Sequence, residues 1–221
     1  VYMGDKTEFA VWAPDAEAAQ LRLYHSASDE AAFKILNMKL GKDGLWKATV
    51  KDDIKGAFYT FQVQKGGQWL EETEGIAAKA VGVNGMRGAV IDWTETDPEG
   101  WAEDKSPKID PSDIIVYELH HRDFSIHQTS GVDNKGKYLA LTEEGTKNPD
   151  GLATGIDHLK EIGVTYVQLL PSTDFATIDE TRLEDNQYNW GYEPLNYNAV
   201  EGSFSTDPYN PVTRIKEFKQ M

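Results

Sequence analysis

The stretch QYNWGYEPLNYNAVEGSFSTDPYNP, Gln187 to Pro211, holds six aromatic side chains and four asparagines and follows neither a helical nor a strand period. Within it YNWGYEP, Tyr188 to Pro194, is the most specific run in the chain. Flat rings interleaved with amide and carboxylate groups suit a sugar, which presents apolar C–H faces and a rim of hydroxyls. Tyr188, Trp190 and Tyr192 could stack, while Asn189, Asn196 and Asn198 could bond hydroxyls. A loop packed on its own aromatics and turned at Gly191 accounts for the same composition equally well.

A second constellation, ELHHRDF, sets His120, His121, Arg122 and Asp123 at the end of an apolar run. Adjacent histidines on an extended segment point to opposite sides, and no third ligand stands at a zinc spacing, so no metal site is expected. His120 or Asp123 could act as an acid or base. The simpler reading gives Arg122 and Asp123 to the backbone of a neighbouring loop. DNKG, Asp133 to Gly136, lacks the acidic ligands and closing Glu of a calcium loop. GVNG, Gly82 to Gly85, and GKYLALTEEG are turn chemistry with no phosphate-cradling pattern. Of Trp12, Trp46 and Trp69, the first two read as packing residues and only Trp69, beside the KGGQ turn, as exposed.

Composition narrows the partners. Among 221 residues, 37 acids against 22 bases leave a net charge of −15, which repels nucleic acid and anionic membrane surfaces. Cysteine is absent, which excludes disulfides, thiolate catalysis and Cys-ligated zinc. No apolar run approaches the roughly 20 residues of a membrane span.

These residues need elements to hold them. From Thr7 to about Asp92, short alternating runs such as TEFAVWAP and AQLRLYH are split by turns, the pattern of a β-sandwich over residues 1–95. Polar, proline-bearing residues 96–112 read as a linker. From 113 to 221 the pattern changes to DIIVYEL, then GLATGIDHLKEIGV with Leu152, Ile156, Leu159 and Ile162 at helical spacing, then TYVQLLP. Strand, helix and strand in that order form a βαβ unit with a parallel pair. Asn210 and Pro211 open a final helix. Two parallel strands cannot close a sheet, so the remainder of the sheet is expected from the same or a second chain.

YNWGYEPLNY, VYELHHRDFS and VQLLP resemble the bacterial type I pullulanases, debranching members of glycoside hydrolase family 13. The strand-rich front, FAVWAPDA through AVGVNGMRGAVIDW, is similar to the family 48 carbohydrate-binding module that precedes their barrel. The resemblance implies a multidomain protein: an immunoglobulin-like β-sandwich followed by the first βα units of a (β/α)8 barrel, incomplete in this chain. It departs at Glu193, where the family usually has Asp.

The resemblance further implies a glycosidase that cleaves α-1,6-glucosidic branch linkages of pullulan, starch or glycogen, with an α-glucan as partner. An isoamylase-like glycogen debranching enzyme and a non-catalytic α-glucan-binding protein are the alternatives. Retaining hydrolysis uses two carboxyl groups about 5 Å apart. The family draws these from later barrel strands, so no catalytic residue is expected in this chain, which alone is expected to be inactive. The substrate-binding residues implied are Tyr192, stacked on the sugar at the cleavage site, with Trp190, Asn189 and His120; Trp69 is the front-domain candidate. The resemblance admits Ca2+ and names no other cofactor. The compartment stays open, with cell-surface or periplasmic placement slightly favoured over cytoplasmic.

Overall fold

Alternation of apolar and polar residues with a period of two builds the front of the molecule into two facing antiparallel sheets. The computed structural model describes residues 1–221. Strands β1 (Thr7–Trp12), β2 (Ala18–Tyr24), β3 (Lys34–Asn37), β4 (Lys39–Leu40), β5 (Leu45–Val50), β6 (Phe58–Lys65), β7 (Gln68–Trp69) and β8 (Gly88–Ala89) make up this part. One sheet runs β1-β5-β4, the other β3-β2-β6-β7, with β8 also paired to β6. Phe9, Trp46 and Val50 of the first sheet meet Leu21, Leu23 and Phe61 of the second in one buried cluster. Burial of those side chains drives the sandwich.

The KGGQ turn joins β6 to β7 through Gly66 and Gly67, both at positive φ, as a two-residue hairpin requires. The carboxylate of Glu17 accepts from the backbone N–H of both glycines, at 2.9 and 3.0 Å. Trp69 is exposed as expected, whereas Trp12 departs from expectation. With Phe9 facing the core, the period of two turns Trp12 outward, where it is 65% exposed against 39% for Trp69. Trp46, opposite Val11, is buried and donates to the Ala13 carbonyl.

After three short 3-10 turns, β9 (Val116–Leu119) leads directly into the single-turn helix α1 (His121–Ser125). A long loop and α2 (Gly155–Glu161) then carry the chain to β10 (Tyr166–Leu169), which pairs parallel with β9, Val116 opposite Tyr166 and Leu119 opposite Leu169. Helix α2 is shorter than its apolar spacing predicted. Leu152 lies outside it, exposed, and Leu159 alone of the four predicted positions is buried. Gly163, at φ +81, ends the turn that follows. Ile115, Val116, Tyr166 and Val167 are 40–56% exposed, so the apolar strands expected to be covered on both faces are not, and β10 is open on both.

Strands β11 (Thr173–Phe175) and β12 (Pro194–Val200) form an irregular antiparallel pair, and α3 (Pro211–Gln220) follows. Asn210 caps α3 by accepting from Val212 and Thr213 N–H, with Pro211 at the first helical position as expected. Ile215 of α3 packs against Ala80 and Ile91 of the front. Lys219 bonds Thr96 and Asp97 and sits 5.0 Å from the Trp101 ring, so the start of the polar join is fastened to α3. No helix is long and apolar enough to cross a membrane.

Candidate functional site

The loop between β11 and β12 starts just past the C-terminal end of β10. One side chain holds it shut. The Asn189 amide nitrogen donates to the Ala176 carbonyl at 3.0 Å, to Thr177 Oγ1 at 2.7 Å and to Glu193 Oε2 at 3.1 Å. Its oxygen accepts from Gly191 N–H at 2.7 Å. Thr177 Oγ1 reaches the same Glu193 oxygen at 2.9 Å, and Ala176 N–H bonds the Glu193 carbonyl at 3.0 Å. Gly191 sits at φ +90, and a Cβ there would lie 2.6 Å from the Pro171 carbonyl oxygen. Only glycine fits both constraints.

With its amides and carboxylate spent internally, the loop turns its rings to solvent. Tyr192 is 66% and Trp190 62% exposed, and Tyr188 meets Trp190 edge-on at 5.7 Å. Tyr192 and Trp190 thus stand where a flat ligand could stack. Asn189 does not: all its hydrogen-bonding capacity shapes the loop. Asn196, bonded to Gly85 O and Asp174, and Asn198, bonded to Ile76 O, are likewise occupied by protein. Glu193, where the resemblance led us to expect Asp, closes the Asn189 clasp.

His120 also proves to be a support. Its Nδ1 accepts from Asp123 N–H at 3.4 Å, so the other nitrogen carries the hydrogen and donates to the Asn189 carbonyl at 2.9 Å. The ring is buried between Tyr188, at 5.2 Å, and Phe204, at 5.6 Å. Arg122 and Asp123 bond each other, and Arg122 reaches the Asn186 side chain; they were expected on loop backbone. His121, the first residue of α1 rather than part of an extended pair, meets Ser172 Oγ at 2.7 Å. Burial, then the neighbouring His120, pushes it down to about 4, which keeps it neutral at pH 7. Behind the loop lies a cavity of about 210 Å3 lined by His120, Arg122, Lys137, Phe175, Asn189 and Phe204 among others. Phe204 and Tyr138, which floor this region, carried no sequence signal beyond aromatic character.

A second cluster escaped the sequence reading altogether. Asp174, Glu180 and Glu201 are buried with carboxylate oxygens within 4.8 Å of one another. Their spacing invites a test against Ca2+, and they do not fit it. The guanidinium of Arg214 already stands among them, paired with Glu180 and 3.5 Å from Asp174. Backbone N–H groups occupy both Glu180, from Asn84 and Gly202, and Glu201, from Phe175 and Ser203. A cation needing six or more oxygens would find three carboxylates already turned to donors.

The sandwich also has a counterpart among known domains: residues 1–77 match carbohydrate-binding module 48 (isoamylase N-terminal domain). Over its whole length the chain is similar to part of several bacterial pullulanases. It is 43% identical over its full 221 residues to the pullulanase of Bacillus subtilis strain 168, covering 30% of that protein. The crystal structure of Paenibacillus barengoltzii pullulanase in complex with maltohexaose and α-cyclodextrin matches all of this chain at 49% identity and a TM-score of 0.96, over 34% of that chain. The pullulanase of Bacillus acidopullulyticus matches all of it at 46% identity and a TM-score of 0.92, over 27%. This chain thus spans about a third of the length of these relatives.

Proposed function

We propose that this chain forms the substrate-facing front of an endo-acting glycosidase that hydrolyses α-1,6 branch linkages in pullulan and branched α-glucans. The observation that carries the reading is the Asn189–Glu193 clasp: it spends the loop's polar groups on the loop itself and leaves Tyr192 and Trp190 exposed beside the parallel pair. In this reading residues 1–95 are the carbohydrate-binding module, 96–112 the join, and 113–221 the first part of a (β/α)8 barrel. The ring of Tyr192 forms one wall of the sugar site at the scissile bond, and Trp190 extends it. Fixing the sugar face costs no reorganisation during the reaction, a geometric contribution to lowering the barrier. Residues outside Val1–Met221 supply the nucleophile and acid of a retaining reaction. On the front module Trp12, more exposed than Trp69, is the better glucan platform.

The test is an assay of the intact polypeptide on pullulan, with maltotriose as the expected product. A folded intact protein that is retained on an α-glucan affinity gel yet releases no reducing sugar would overturn the hydrolase and leave a glucan-binding protein. Faster cleavage of long-branched glycogen than of pullulan would point to the isoamylase-like alternative.

A further inference from the structure

The buried acids Asp174, Glu180 and Glu201 sit where three parts of the molecule meet. Asn84 and Gly85 come from the front module, Asp174 and Asn196 from the β11–β12 pair, and Arg214 from α3. Asn84 and Glu180 bond reciprocally, Asn84 N–H to the Glu180 carboxylate and Glu180 N–H to Asn84 Oδ1, each at 2.7 Å. Three carboxylates face one guanidinium, and such an excess of buried charge must be relieved by a cation or a proton. The donors already seated on Glu180 and Glu201 argue against the cation.

The same donors identify which acid yields. Glu180 takes Arg214 and two backbone N–H groups, and Glu201 takes two backbone N–H groups. Asp174 takes only the Asn196 side-chain amide at 2.8 Å and a loose 3.5 Å approach of Arg214 Nη1, a nitrogen with no hydrogen-bond partner. We propose that Asp174 is a positioning residue for the Tyr192 loop and that it acts as the neutral carboxylic acid, its proton shared with the neighbouring carboxylates. Its route to the loop is short: Asp174 is two residues from Ala176, which Asn189 and Glu193 grip, and its partner Asn196 is four residues from Tyr192.

Burial pushes Asp174 up to about 7, with Glu180 and the more distant Glu74 adding to the rise and Asn196 and Arg214 opposing it. Those groups face it together with Glu201, which burial and then Glu180 push up to about 8 and which therefore shares the cluster's proton with Asp174; Tyr138 and Lys137 border the same cluster on the side of Glu201 and Glu180. An aspartate in the unfolded chain ionises near pH 4. Between about pH 4 and pH 7 the folded form therefore keeps a proton that the unfolded form has lost, and this group's contribution makes stability fall as pH rises, levelling off above pH 7. His121 contributes the opposite slope between about pH 4 and 6.5, because its folded form is the less protonated. The difference between wild type and Asp174→Asn, rather than the wild-type profile, isolates Asp174.

Two measurements decide the matter, and neither depends on glucan hydrolysis. The side-chain carboxyl 13C signal of Asp174 is titrated in selectively labelled protein, with and without millimolar Ca2+; a midpoint near pH 7, unmoved by Ca2+, is expected. A midpoint at or below pH 4 would overturn the proposal, and so would a downward shift of a unit or more on adding Ca2+, which would make the cluster a cation site. Urea midpoints of wild type and Asp174→Asn are compared from pH 4 to 8, alongside hydrogen exchange at Ala176 corrected for its intrinsic rate. The expected result is that Asp174→Asn removes a downward slope in stability and holds Ala176 protection constant, whereas in wild type exchange there quickens several-fold across pH 7. Parallel profiles would contradict the assignment. If Asp174→Asn does not fold, the 13C titration of the wild type still decides.

Discussion

The front sandwich and the segment that follows it are held together by different means. In the front, one cluster of nine buried side chains, none of them charged, joins both sheets. Beyond the join the apolar residues divide into clusters of three and four, while Asp174, Glu180, Glu201, Arg214 and Glu217 are buried among them. An apolar core is stable on its own terms, whereas buried charges are costly unless all their partners are in place. The front therefore resembles an independent module, and the later segment a set of surfaces organised around polar clasps that aim a loop.

The widest separation between the regions should come from Arg214→Ala, which strips a buried carboxylate cluster of its cation and should cost about 3–5 kcal/mol by urea denaturation. Leu21→Ala in the front core, at 0% exposure, should cost about 3 kcal/mol through lost burial and a residual cavity. The two losses should differ in kind as well: limited proteolysis should nick the loop 176–193 first in Arg214→Ala and the front strands first in Leu21→Ala. Asn189→Ala should cost about 1–2 kcal/mol, confined to the loop and visible as faster proteolysis there with an unchanged front module. Smallest of all, Ile76→Ala, at 91% exposure, should move stability by less than about 0.5 kcal/mol. An Ile76 effect as large as that of Leu21 would erase the contrast.

Much of the front was legible because its signals are local. Alternation at Phe9, Leu21 and Leu23, the Gly66–Gly67 turn and the Asn210–Pro211 cap each follow from backbone geometry over a few residues. The same period also turns Trp12 outward, a consequence that its aromatic character masked. In the later segment the parallel pairing of β9 and β10 and the exposure of Tyr192 were readable, but the roles of Asn189 and His120 were not. Whether an amide serves a ligand or its own loop depends on Ala176, Thr177 and Glu193 arriving together, which is a product of tertiary closure. The Asp174–Arg214 cluster left no trace in the sequence because its members span 41 residues and three elements, and charge alone favours the surface.

The most direct test compares Tyr192→Ala with Tyr192→Phe in the intact polypeptide by steady-state hydrolysis of pullulan. Loss of the ring should lower kcat/KM by about 100-fold through misplacement of the sugar, while loss of the hydroxyl alone should leave it within about 3-fold, circular dichroism being unchanged in both. A Tyr192→Ala protein that cleaves pullulan at the wild-type rate would contradict the account.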